Sequence, residues 1–200
     1  MKEISTPLDD KTIKSLKAGD QVLISGIVYV ARDAAHQKGI PFDVKGQIIF
    51  YAGPTPGDPI GSIGPTTASR MDPFILPLLK KGLKATIGKG PRSEGVKKAH
   101  KKYKAVYFTA TGGAAALLSK TVVRSEVIAY PELGAEAILK LEVVKFPAIV
   151  AYDSHGGDLF QKGRKKYSKL VTIRHSRGSG NPFNSLDAAS SLPAGQAGAA

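Results

Sequence analysis

The sequence predicts a single α/β domain, on three observations: strand-length apolar runs alternate with Gly/Pro punctuation, several of those runs are apolar on both faces, and 200 residues give room for one substantial core. Strands are expected at 22–30, 47–52, 83–87, 105–110, 126–129, 139–143 and 148–152, where Val, Ile and aromatic residues gather between turn-forming residues. Helices are expected at 33–37, 68–80, 93–102 and 113–119. Pro77 falls inside the second, where a missing N–H and a ring clash should kink or shorten it. The run Asp153-Ser154-His155-Gly156-Gly157-Asp158 reads as a hairpin turn closing the last strand pair, with the fold ending soon after. Residues 178–200 are mostly Gly, Ser, Ala, Pro and Asn. Their burial is too small to offset roughly 1–2 kcal/mol per residue of lost backbone entropy, so they are expected to be disordered. The expected division is a domain over 1–163 and a basic, then low-complexity, disordered tail over 164–200.

Composition narrows the function classes. Hydrophobic residues make up 42% and charged residues 22% of the chain, with no apolar run near the roughly 20 residues of a membrane span. The N-terminal residues lack a secretion signal's basic-then-apolar layout, and the chain has no cysteine for disulfides, so a cytoplasmic protein is expected. The net charge of +13 is uneven: ten Lys/Arg lie between Lys80 and Lys104 against Glu94 alone, and seven from Lys162 onward against Asp187, leaving the remainder slightly acidic. A polyanion clamp over the whole surface is not indicated. The four histidines, His36, His100, His155 and His175, are far apart, so a metal centre built by this chain alone is not expected.

Four segments carry candidate chemistry. Gly64-Pro65-Thr66-Thr67-Ala68-Ser69-Arg70-Met71-Asp72 is expected to open a helix and to bring three hydroxyls and a guanidinium to one turn, a cradle for a carboxylate. A helix cap with a surface arginine fits the same residues. Arg32-Asp33-Ala34-Ala35-His36 follows the long strand 22–30, at the strand end where α/β folds bind ligands. There Arg32 could grip a carboxylate with Asp33 or His36 orienting it; a surface Arg-Asp pair is the plainer alternative. Ile87-Gly88-Lys89-Gly90 sets a lysine between two glycines, either at a ligand or on an exposed turn, and lacks the Walker A spacing. The small residues of Thr109 to Ala116 suit an anion-facing turn or, more simply, close packing of a helix on a sheet.

In this order the motifs resemble the β subunit of class I, iron-sulfur-dependent fumarate hydratases, within the fumarase and tartrate dehydratase group. The resemblance covers roughly residues 4–159. The segment from Gly64 to Asp72 is its most specific part and Arg32-Asp33-Ala34-Ala35-His36 supports it; the runs at 112–116, 144–148 and 153–158 resemble fumarase more than tartrate dehydratase. The resemblance implies a three-layer, swivelling domain with a mixed sheet, active only with an α subunit that carries a 4Fe-4S cluster on its own cysteines, in a heterodimer or heterotetramer. It implies a hydro-lyase of the tricarboxylic acid cycle interconverting L-malate and fumarate plus water. Arg32, Arg70 and Lys89 would bind the dicarboxylate, Thr66 would act as the base on the C3 proton, and Asp33 and His36 would orient them. No metal ligand, nucleic acid or membrane contact is expected of this chain. The alternatives are an L-tartrate dehydratase β subunit and, more remotely, a nucleic-acid binder using the Lys80–Lys104 segment; no aromatic stacking motif accompanies those lysines.

Overall fold

The computed structural model describes residues 1–175, with side chains to residue 168. The chain divides into a unit Met1–Phe160 and a second unit from Gln161. In chain order the elements are β1 (Lys2–Ser5), α1 (Asp10–Ser15), β2 (Gln21–Val30), α2 (Asp33–Lys38), β3 (Ile48–Phe50), β4 (Ala52–Pro54), β5 (Ile63–Pro65), a 3-10 turn (Ala68–Met71), α3 (Asp72–Lys80), β6 (Ala85–Gly88), α4 (Glu94–Lys102), β7 (Val106–Thr109), α5 (Ala115–Ser119), β8 (Val122–Ala129), a 3-10 segment (Pro131–Glu136), β9 (Ile138–Tyr152) and α6 (Leu159–His175). The fold class is the mixed α/β arrangement expected from the sequence. Residues 164–175, expected in the tail, continue helix α6. The expectation for 178–200 lies outside the described residues.

Seven strands form one mixed sheet in the order β1-β2-β3-β6-β7-β9-β8. β1, β2, β3, β6 and β7 run parallel, and β9 runs antiparallel to β7, β8 and β2. Because β9 pairs with both β7 and β2, the sheet curls back on itself and closes through β2, β3, β6, β7 and β9. Side-chain alternation shows the consequence. Ile48, Phe50, Ile87, Val106 and Phe108 point into a core shared with Leu141, Val143, Phe146 and Val150 of β9. Their neighbours Ile49, Tyr51 and Tyr107 point the other way, against Met71, Ile75 and Leu79 before and within α3 and Val96 and Ala99 of α4. Strands apolar on both faces are thus buried on both faces, as their composition predicts.

Two expected strands, 139–143 and 148–152, are one 15-residue strand. The gap expected between them is taken up by a bulge: Lys145 takes φ 54°, its N–H donates to Ser25 Oγ at 3.1 Å, and the register with β2 shifts between Ile24 and Gly26. The expected helix 68–80 divides at Met71–Asp72 into the 3-10 turn and α3, ahead of Pro77. Pro77 lies inside α3, and its missing N–H would have reached only residue 73 in the first turn. Ser93 caps α4, accepting from Val96 N at 3.4 Å. The 153–158 run is a tight turn closed by a single antiparallel bridge, Tyr152 to Asp158, and it leads into α6.

Candidate active site

Parallel strands all end on one side of a sheet, so the segments following β2, β3, β6 and β7 gather along one edge. Arg32 follows β2 and Lys89 follows β6. The β4–β5 ribbon, formed after β3, carries the chain back so that Thr66 returns to that edge. There Tyr51 O accepts both Thr66 N at 2.7 Å and Thr66 Oγ1 at 2.9 Å. Lys89 N donates to Thr66 O at 2.9 Å, and Ala68 N donates to Lys89 O at 3.0 Å. Thr66, the turn bearing Arg70, and Lys89 are therefore one hydrogen-bonded ladder. Gly88 permits it: a Cβ there would lie 2.9 Å from Ala68 Cβ and 3.2 Å from the Tyr51 ring.

Asp33 lies between the two arginines. Its Oδ2 is 2.9 Å from Arg70 Nη2 and 3.8 Å from Arg32 Nε. Arg32 Nη2 donates to Glu136 Oε1 at 2.9 Å, and the other Glu136 oxygen accepts from Ala34 N at 3.0 Å. The result is a row of alternating charge, Glu136, Arg32, Asp33, Arg70. Arg32 is largely enclosed, whereas the Arg70 side chain is 52% exposed and so within reach of an anion from solvent. Lys89 is exposed, and its stem passes Gly112 of the loop after β7. Arg32, Arg70 and Lys89 thus come from three separate loops to one edge.

His36 turns inward from Arg32. Its ring is buried, stacked on Phe74 at 5.7 Å and edge-on to Tyr51 at 5.7 Å, with no hydrogen bond to Arg32 among the described residues. Burial pushes its pKa down to about 4, with Arg92 lowering it further and Asp33 opposing, so the ring is neutral near pH 7. The segment 64–72 opens a 3-10 turn in place of the expected α-helix, and neither Thr67 before that turn nor Met71 before α3 makes a side-chain cap bond. Thr66 Oγ donates its proton to a neutral backbone carbonyl, which aims its lone pairs but does not deprotonate it. The small residues near 112–116 pack closely: a Cβ on Gly64 of β5 would lie 3.0 Å from Ala115 Cβ of α5.

Two residues of this neighbourhood escape sequence reasoning. Glu136 lies 104 residues from Arg32, and nothing local marks it as a partner. Arg92 reads as one more cation of the basic run, although its place between Pro91 and the helix cap Ser93 marks a bend where an arginine can turn inward.

The sequence model of the family described as "Fumarase C-terminus" matches residues 2–163. An aerobic class I fumarate hydratase of Escherichia coli (strain K12) is 40% identical over 176 residues, covering 81% of this chain and 31% of the relative. Fumarate hydratase 2 of Leishmania major is 38% identical, covering 80% of this chain and 31% of the relative. A putative L(+)-tartrate dehydratase subunit beta of Methanocaldococcus jannaschii is 40% identical over 182 residues, covering 82% of this chain and 93% of the relative. The chain spans less than a third of the two fumarate hydratases.

Proposed function

The chain belongs to the fumarase C-terminal family, and on that premise we propose that it is the β subunit of a hydro-lyase interconverting L-malate with fumarate and water, active only with an α subunit. The observation that carries the reading is the assembly of Arg32, Arg70 and Lys89 around the Thr66 ladder on one edge of the sheet. Removing the C3 proton of a dicarboxylate builds enolate-like negative charge on a substrate already doubly negative. Preorganised cations stabilise that charge because they need no reorganisation as it develops. Arg70 offers a fork to one carboxylate, Arg32 faces the second, and Lys89 adds a mobile charge.

Asp33 keeps both guanidinium groups oriented without neutralising either fully. Thr66 Oγ receives the C3 proton while its own proton, turned away from the Tyr51 carbonyl, passes to a carboxylate of the partner chain, a relay that raises the weak basicity of a hydroxyl. A 4Fe-4S cluster held by the α subunit would supply an open iron as Lewis acid for the departing hydroxyl. The cationic, cysteine-free character of this chain fits that division of labour, since it offers charge to the substrate and no thiolate to the metal. Coverage of 93% of a relative named as a subunit supports a two-chain enzyme, and that relative's name keeps tartrate as the second reading.

Reconstitution with a cluster-bearing partner tests both. Malate and fumarate are expected to turn over far faster than L-tartrate, and the purified chain alone should show no activity. Equal or reversed substrate preference would remove the fumarase assignment in favour of tartrate.

A further inference from the structure

A third arginine lies inside the fold, among Asp72, Thr86, Tyr51 and Tyr107. Arg92 is 4% exposed and permanently charged, and a buried charge is costly unless its donors are matched. Its Nε donates to Asp72 Oδ1, and its Nη1 donates to Thr86 Oγ1 at 3.3 Å. The guanidinium lies over two rings, 5.3 Å from the centre of Tyr51 and 5.5 Å from that of Tyr107.

Three of these partners lead to a segment of the active-site edge. Asp72 stands two residues after Arg70, and its other oxygen accepts from Ser93 N at 2.8 Å, which ties the start of α3 to the start of α4. Tyr51 supplies the carbonyl that holds Thr66. The Tyr107 hydroxyl donates to Gly90 O at 2.8 Å, immediately beyond Lys89, and burial pushes its pKa up so that it stays a donor. A packed apolar side chain would fill this space without the desolvation cost, so stability alone does not account for a charge here.

We infer that Arg92 is a positioning residue which, through Asp72, Tyr51 and Tyr107, holds the Arg70 turn and the Lys89 loop in place for the dicarboxylate substrate. This deepens the hydro-lyase reading and rests on it for its kinetic consequences. Arg92 itself is too deeply buried to touch substrate; it acts through the segments it holds.

The test is Arg92→Lys, which keeps the charge and removes the planar fork, in the full chain paired with its cluster-bearing partner. The kcat/KM for malate is expected to fall at least tenfold per folded complex. In a Lys89→Met background the same substitution should lower kcat/KM by a clearly smaller factor than in the wild type, because one of the two positioned groups is already gone. Amide exchange at Lys89 and Ala68 should accelerate about tenfold while β9 amides such as Leu141 stay protected. Effects that multiply independently of Lys89, or wild-type exchange at Lys89 and Ala68, would overturn the inference. Tyr107→Phe removes only the bond to Gly90 and is expected to raise exchange at Lys89 in the same direction; it decides the matter should Arg92→Lys fail to fold. A wild-type complex that turns over neither malate nor L-tartrate would sink the hydro-lyase reading, and the exchange measurements would still decide whether Arg92 holds the Lys89 loop.

Discussion

Arg32 shows how a single position can be tuned by what is missing beside it. A Cβ added at Gly53 would meet Arg32 Nη1 at 2.5 Å, with the next nearest atoms also in the Arg32 side chain. An alanine there collides with the guanidinium and with no other group, and Gly53 does not adopt a positive φ that would strain it. Gly53→Ala is therefore expected to leave the melting temperature within a few degrees of wild type while displacing Arg32 from Glu136. Loss of one charge-assisted contact to substrate, about 1.5–3 kcal/mol, corresponds to roughly a 10- to 100-fold rise in KM. A large drop in melting temperature with an unchanged KM would contradict this account. At this scale the sequence revealed the cations, because guanidinium and ammonium groups beside glycines and strand ends are local features. It could not reveal Glu136, whose partner is set by tertiary contact, nor that His36 packs on Phe74, since adjacency to Arg32 in sequence says nothing of which way the ring turns on α2.

At the opposite end of the strands from the site, one turn joins elements far apart in sequence. Asp153 is 4% exposed, and its carboxylate accepts Ala18 N at 2.8 Å, His155 N at 2.9 Å and Gly157 N at 2.8 Å. Burial works to raise its pKa; the bonds from Ala18, Gly157 and His155 outweigh that and hold it below the ordinary carboxylate range. One side chain thus joins the loop before β2 to the turn after β9. Asp153→Ala orphans these amides, and because His155 and Gly157 lie near solvent the expected loss is about 2–4 kcal/mol of stability. Specific activity of the folded complex should be unchanged, as read by denaturant midpoint alongside turnover; a folded variant with lost turnover would instead put Asp153 in the site. The turn itself was legible from Asp-Ser-His-Gly-Gly-Asp, but its anchor on Ala18 was not. Elements with strong patterns, such as β2, β6, β7 and α4, were legible within a residue or two. β1, α1 and β5 are short and gain their stability from pairing and packing that no local window contains.

Over the whole molecule, charge that looks like a polyanion site is partly spent internally. Lys84 and Lys104 reach Asp10 at 2.6 and 3.7 Å, Lys97 reaches Asp158 at 2.7 Å, and Arg92 is buried on Asp72. What remains buried and titratable controls the response to acid. His36 and His100 both have pKa values pushed down to about 4, chiefly by burial. His36 faces Asp33, which opposes the shift, and Arg92, which adds to it. His100 is bonded through Nδ1 to Val96 O at 2.8 Å and feels Arg92 and Asp72 in opposite senses. Unfolded, each would titrate near 6.5. Between pH 6.5 and 4 the unfolded chain therefore binds more protons than the folded one, so stability rises with pH across that window and is fully present above it. At about 1.4 kcal/mol per pH unit the two sites each contribute on the order of 3 kcal/mol. Against a typical domain stability of about 5–15 kcal/mol, that loss can dominate acid unfolding. The melting temperature should fall steadily from pH 6.5 to 4.5, and His100→Gln, which can keep the bond to Val96 and cannot be protonated, should flatten the slope by about half. A wild-type melting temperature constant over that range would show that neither imidazole is held neutral by the fold.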